Sequence, residues 1–270
     1  MKGSDKMIHA NFTYDGISCD EYGVFVGEFN SREIGKMGIS HKTDLSTVHS
    51  RRGDTFFITS QTYSSPLEFE LQIFSRDYDY ITQEHERMLK KWLMKRNKYC
   101  WLSILDKRYS GLWFKANIHS PENIRVNDVA GISFTATCST PFAYSDEIEE
   151  TYEFTDTDRT CFLYVDNDED SEIYPEMEIT MLSDGDLEIV NDRDTYKKNV
   201  FKITDLKAGE IIKVNNETPI IESSEDTLLK TVYDRFSKYW LFLVDGENNI
   251  TVSNNCILTL KYREKRKVGV

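Results

Sequence analysis

From Ile81 to Leu93 one stripe repeats: Ile81, His85, Met88, Leu89, Trp92 and Leu93 fall at i, i+4, i+7, i+8, i+11 and i+12. That spacing predicts an amphipathic helix with one face turned to a core. Thr82 stands at the N-cap, Gln83, Glu84 and Glu86 follow at the positive end, and Lys90, Lys91, Lys95, Arg96 and Lys98 lie at the other. Around this helix the period changes to two. Leu67, Phe69, Leu71 and Ile73 alternate with Glu68, Glu70 and Gln72 after Pro66. Leu112, Phe114, Ala116 and Ile118 share one face of the next run, and Ile132 to Ser139 alternates apolar residues with Ser and Thr. These are half-buried antiparallel strands. Earlier in the chain, Phe12 to Ile17 reads as a strand and turn, and Tyr22 to Val26 as a second strand. Asn30 to Ser40 reads as a loop. His41 to Ser50, the turn Arg51-Arg52-Gly53-Asp54 and Thr55 to Ile58 read as a long hairpin-like arm. Thr140-Pro141-Phe142-Ala143-Tyr144-Ser145 ends this half, because proline stops the ladder.

From Asp146 the chain turns acidic and loses helical periodicity. Short apolar runs follow at Met177–Met181, Leu187–Ile189, Val200–Ile203, Ile211–Val214, Trp240–Val244, Ile250–Val252 and Leu258–Tyr262. Turn signals such as Asp184-Gly185, Ala208-Gly209, Asn215-Asn216 and Asp245-Gly246 separate them, a β-sandwich pattern. The segment Lys261 to Lys267 is basic and reads as a frayed end.

The order of these motifs carries a resemblance. A helix ending in Trp92-Leu93, a Tyr99-Cys100-Trp101 strand, Trp113-Phe114-Lys115-Ala116, Ile132-Ser133-Phe134-Thr135-Ala136 and Pro141-Phe142-Ala143-Tyr144 together resemble the siphophage distal tail protein family, over Ile8 to Arg263. Asp184 to Ile189 and Trp240 to Val252 resemble that family's C-terminal domain. The resemblance implies a mainly β chain. Residues 7–145 would be a ring-forming N-terminal tail domain, a β-sandwich plus helix and hairpin arm, the helix packed on antiparallel sheet. Residues 146–264 would be a galectin-like β-sandwich. It implies a tail-tip protein that forms a homohexameric ring between the tail tube's major tail protein and the tail-associated lysin or tail fibre, with a receptor-binding protein carried outside. Such a protein would sit in the virion tail tip after assembly in the host bacterial cytoplasm, encoded by a phage or a prophage. No cofactor and no catalytic residue is implied. The ring interface is assigned to Val48, Arg51, Arg52, Gly53, Asp54 and Phe56 in the arm.

Composition narrows the alternatives. The 270 residues carry a formal charge of −13, which argues against a nucleic-acid binder working through phosphate neutralisation and against docking on an anionic membrane. The same charge suits a lumen that must not trap exiting DNA. No apolar run reaches the roughly 20 residues of a spanning helix. Met1 to Lys6 is polar with no apolar segment behind it, so no secretory leader is expected. Cys19, Cys100, Cys138, Cys161 and Cys256 are odd in number and lack paired spacing, which points to a reducing compartment.

Asp166-Asn167-Asp168-Glu169-Asp170 opens like an EF-hand loop, but Ser171 stands where Gly is required and Met177 where Glu is required, so a solvated loop is expected. Arg52-Gly53-Asp54 spells an adhesion tripeptide and is read as a turn. His9, His41, His49, His85 and His119 lack ligand spacing, and His85 is expected to be packed. No nucleophile elbow, P-loop or dinucleotide fingerprint occurs. Trp92, Trp101 and Trp113 are expected in the core. Trp240 alone is singled out for contact with a sugar, which makes a binder of host wall sugars the rival reading. A glycan hydrolase using two of the 46 acids ranks third.

Overall fold

The computed structural model describes residues 10–28, 41–50, 53–63, 65–77, 81–126, 129–194 and 200–268. The chain divides into two compact units, Met1–Tyr144 with Lys267–Val270, and Ser145–Arg266. The stretch Met1 to His9 and the expected loop Asn30 to Ser40 lie outside the described residues.

In the first unit, β1 (Asn11–Tyr14) and β2 (Ile17–Ser18) form a tight hairpin. Its turn residues Asp15 and Gly16 both adopt positive φ, 54° and 77°, as a turn matching strand twist requires. Then come β3 (Val24–Glu28), β4 (His41–Ser50), β5 (Gly53–Tyr63), β6 (Glu68–Ser75), the helix α1 (Gln83–Leu93), β7 (Cys100–Leu105), β8 (Trp113–Val126), β9 (Val129–Cys138) and β10 (Ala143–Tyr144). The main antiparallel sheet runs β2-β1-β7-β8-β9-β6-β3. Its ends then meet: Ala10 N donates to Val26 O at 3.0 Å and Val26 N to Ala10 O at 2.9 Å. Apart from β4 and β5, these strands therefore form one curled sheet. Closure pairs edge groups that an open sheet leaves to solvent.

Alternation along the strands fills the inside of the curl with Phe12, Tyr14, Leu71, Ile73, Leu102, Phe114, Ile118, Ile132 and Phe134. α1 contributes to the same core. Thr82 caps it, its side-chain oxygen accepting from His85 N at 3.2 Å. Leu89, Trp92 and Leu93 are buried, each burial stabilising by about 2 kcal/mol. Met88, part of the expected stripe, is 43% exposed. The buried arc centres between Leu89 and Trp92, and at 100° per residue Met88 falls on its rim. The Trp92 indole stacks between Phe12 (5.4 Å) and Tyr22 (4.4 Å) and donates to Tyr14 O at 3.1 Å. Beyond the helix end, Asn117 on β8 donates to Lys95 O and Lys98 O, both at 2.7 Å.

On the other face of β6, Phe74 is fully buried. Its ring lies over Gly27, in the bulge of β3, and Gly131, its direct partner on β9. A Cβ at Gly27 or Gly131 would stand 2.4 Å or 2.6 Å from that ring. Bare backbone on both neighbouring strands is what admits the phenyl group.

The second unit holds β11 (Ile148–Phe154), β12 (Thr160–Val165), β13 (Glu176–Met181), β14 (Gly185–Asn191), β15 (Phe201–Leu206), β16 (Ile211–Asn215), β17 (Ile220–Ser223), the short helix α2 (Val232–Arg235), β18 (Gly246–Val252), β19 (Cys256–Tyr262) and β20 (Lys265–Arg266). Two antiparallel sheets, β11-β19-β13-β16-β17 and β12-β18-β14-β15, share one core, a β-sandwich. β11, β12, β17 and α2 were not anticipated; Glu149, Thr151 and Glu153 on its outer face hid β11, whereas β12 turns Phe162 and Tyr164 outward, so its run is apolar on both faces and shows no alternation.

Trp240 to Val244, expected as a strand, is irregular and makes one isolated bridge, Leu243 to Ile173, outside both sheets. Its composition is strand-like, yet asparagines take the place of a neighbouring strand. Leu241 N donates to Asn216 Oδ1 (3.0 Å), Asn191 Nδ2 to Phe242 O (2.9 Å) and Val244 N to Asn248 Oδ1 (3.0 Å). Asn248 Nδ2 returns a bond to Val244 O at 2.8 Å. With its backbone satisfied this way, the segment buries Leu241, Phe242 and Leu243 without a ladder.

The basic end is ordered as well, contrary to the frayed terminus expected. Glu264 accepts from Asp166 N (2.8 Å) and Arg266 Nη2 (2.5 Å), and Lys265 N donates to Asn167 Oδ1 (2.8 Å). These bonds zip the acidic loop onto the last strand. The unit's two ends are also tied to each other: Ser145 N donates to Glu264 O at 2.9 Å, Glu264 N to Ser145 Oγ at 3.0 Å, and Arg263 Nη1 to Ser145 O at 2.9 Å.

Candidate assembly surfaces

The arm is the element whose pairing stands apart. β4 has 10 residues and β5 has 11, about 33 Å of strand at the usual rise. They pair antiparallel from His41↔Tyr63 to Ser50↔Gly53 and form a two-stranded sheet of their own. A bulge between Asp44 and Leu45 adds local twist. The arm is rooted by Tyr63, whose ring meets Phe142 edge-on at 4.9 Å. Phe142 stands in the Pro141-Phe142-Ala143-Tyr144 motif, whereas Tyr63 was not singled out in the sequence; its available signal was its place at the close of a β-branched run.

Register gives the backbone partners of the assigned interface positions. Thr47 pairs with Phe56 and His49 with Asp54. Val48 pairs with Thr55 and Ser50 with Gly53. Gly53 and Asp54, read as turn residues, are the first residues of β5. Arg51 and Arg52 lie outside the described residues. Asp44, Ser46 and Thr47 are exposed.

The other candidate residues fall into structural roles. His85 is half-buried, its Nε2 2.7 Å from Tyr22 O; a carbonyl only accepts, so the ring donates from Nε2. His119 meets Thr137 Oγ1 and Ser120 Oγ, each at 2.8 Å. All five cysteines are buried and free. Burial pushes the thiols of Cys138, Cys161 and Cys256 up to about 12, so they are poor nucleophiles at neutral pH. Among the described residues no group of three or more His, Cys, Asp and Glu side chains is placed to hold a metal ion. Asn167 organises the acidic loop internally, donating to Glu169 O (2.5 Å) and Ser171 O (3.1 Å). Among the described residues no helix is long and apolar enough to cross a membrane.

The tryptophans divide. Trp92 is buried, whereas Trp101 and Trp113, expected in the core, are half-buried. Trp101 faces outward between Cys100 and Leu102, edge-on to Tyr144 at 5.2 Å with the Lys115 ammonium 5.7 Å over its ring. Trp240 is half-buried against the second core, edge-on to Phe236 at 4.8 Å.

A helix set against a curled antiparallel sheet, a separate two-stranded hairpin and a following sandwich define a class of known structures. The fold is similar to that of the SPP1 Dit (gp 19.1) protein, described as a paradigm of hub adsorption apparatus in phages infecting Gram-positive hosts. That match has a TM-score of 0.63 at 10% identity and covers 94% of this chain and 98% of that one. A chain of the phage P2 baseplate in its activated conformation with Ca matches with a TM-score of 0.57 at 10% identity, over 97% of this chain and 99% of that one. The family described as phage tail protein N-terminal domain matches residues 7–140, and the phage tail C-terminal domain matches residues 142–262. The chain belongs to this family of phage tail proteins. A relative from Bacillus subtilis (strain 168), the SPbeta prophage-derived uncharacterized protein YomH, is 24% identical over 205 residues, 76% of each chain.

Proposed function

We propose that this chain is the hub of a phage tail tip, a structural protein whose copies close into a hexameric ring through the β4–β5 arm. The ring joins the major tail protein of the tube to a tail-associated lysin or fibre and carries the receptor-binding protein outside. The arm carries the reading. A two-stranded hairpin is marginal in water by itself, so one about 33 Å long gains most by lying on a second protein surface. Copies related by a cyclic axis offer that surface to each other and leave no arm unsatisfied. The family and the likeness to Dit and to the P2 baseplate chain support a role in the tail tip. The role is architectural, with no catalytic residue and no cofactor, in a protein assembled in the host cytoplasm and ending in the virion tail.

Light scattering across a concentration series tests the ring: the expected species approaches six times 31.6 kDa as concentration rises. Deleting Ser46 to Thr55 should leave a folded chain that no longer closes rings. A deletion variant that assembles like the intact chain would reject the arm as the ring contact. Sugar binding at Trp240 gains no support from geometry, because that ring is already engaged by Phe236 and the second core.

A further inference from the structure

The most exposed apolar side chains described are adjacent: Leu228 and Leu229, at 106% and 98% exposure, in the loop between β17 and α2. Exposed leucines on a loose loop would be unremarked, but this loop is held along its length. Thr227 N donates to Lys230 O at 2.9 Å and Lys230 N to Thr227 Oγ1 at 3.2 Å, closing a tight turn with the two leucines at its tip. Asp226 accepts from Ser223 N (2.9 Å) on one side and Val232 N (2.5 Å) on the other. Lys230 Nζ reaches Asp205 at 3.0 Å.

Beneath the loop lies Glu210, 1% exposed. It accepts from Ser223 Oγ at 2.5 Å where the loop leaves β17, and from Arg235 Nη2 at 2.8 Å where it returns through α2. A buried ion pair is a weak source of stability but a strong constraint on conformation. Here the constraint fixes a turn that presents two leucines to solvent.

We propose that the Leu228-Leu229 turn is a docking knob for another protein of the tail, one that offers an apolar pocket rimmed by lysine and arginine. The charge argument selects that partner over a second copy. Glu222 and Glu225 precede the knob in the chain as exposed carboxylates, and from Glu217 to Lys238 five acids stand against three bases. In a chain of net charge −13, like copies repel one another here, whereas a cationic rim is attracted. The proposal rests on the tail-tip reading for where the partner is met.

Because all five native cysteines are buried, a Leu229→Cys variant carries one accessible thiol among the described residues. Its labelling by a maleimide is followed in dilute chain, in concentrated chain alone and in purified tail particles. The expected rate is the same in the first two and at least tenfold slower in particles, with protection diminished by adding Glu222→Lys and Glu225→Lys. Equal rates in particles and free chain, with the chain present, would overturn the knob. Protection already present in the concentrated chain alone would put a second copy on the knob and overturn the basic partner, as would protection indifferent to charge reversal. Absence of the wild-type chain from particles would overturn the tail-tip reading and this one with it.

Discussion

The two units solve the same problem, burying a β core, with different chemistry. In the first, the buried polar residues described are Ser75, Ser103 and Ser133, all small hydroxyls beside strand backbone. In the second they are Asn167, Asn191, Glu210, Asn216, Asn248 and Glu264. The curled sheet of the first unit satisfies its own backbone through closure, so its interior is left to aromatic and aliphatic packing. The sandwich carries irregular segments into its interior, and each needs side-chain carboxamides or carboxylates where a neighbouring strand is missing. The difference teaches where each unit is vulnerable: the first to volume, the second to the loss of a single polar atom.

Three substitutions separate these vulnerabilities, the largest effect first. Glu210→Gln leaves the Arg235 guanidinium nearly buried without its countercharge, and should destabilise the second unit by about 3–5 kcal/mol in urea titration. Its pH signature is specific. Burial alone would raise the Glu210 carboxyl, but hydrogen bonds from Ser223, Lys207 and Arg235 outweigh it and hold the group below its ordinary 4.5. The bonus is therefore complete above that value and is lost as pH falls through the lower folded one. Acid titration of the wild type should show this loss and the variant should not; an identical acid limb in both would remove Glu210 from the account.

Asn248→Leu should cost about 2–4 kcal/mol, because Val244 N, Val244 O and Gly246 O lose their partner inside the fold despite the added apolar surface. A neutral or stabilising result would contradict the contrast drawn above. Gly131→Ala forces the Phe74 ring off its seat and should cost the first unit about 1–3 kcal/mol. Phe74→Leu in the same background should recover part of it by making room, a rescue measurable by thermal unfolding.

Much of the first unit was legible in the sequence because its periodicities were clean. The stripe through Leu89, Trp92 and Leu93 and the alternations through Phe69–Ile73, Phe114–Ile118 and Ile132–Cys138 each correspond to an element with that face buried. Closure of the sheet was not legible, since it depends on two hydrogen bonds between Ala10 and Val26 that no local pattern encodes. Nor was the seat of Phe74, which depends on glycines at residues 27 and 131, far apart along the chain. In the second unit an apolar run misled: Trp240 to Val244 has the composition of a strand, and only Asn191, Asn216 and Asn248, which meet it in three dimensions, make it irregular. The arm's pairing was readable from its turn signal, but its register, with a shift between Asp44 and Leu45, was not.

The bonds joining Ser145 to Glu264 bear on descent as much as on stability. Chain enters the second unit and leaves it at points laced together inside that unit, and the first unit's sequence resumes at Lys267. To a genome this is a cassette: a fragment cut at these two codons carries its own closure. An exchange of such a fragment needs only two joins, and they adjoin.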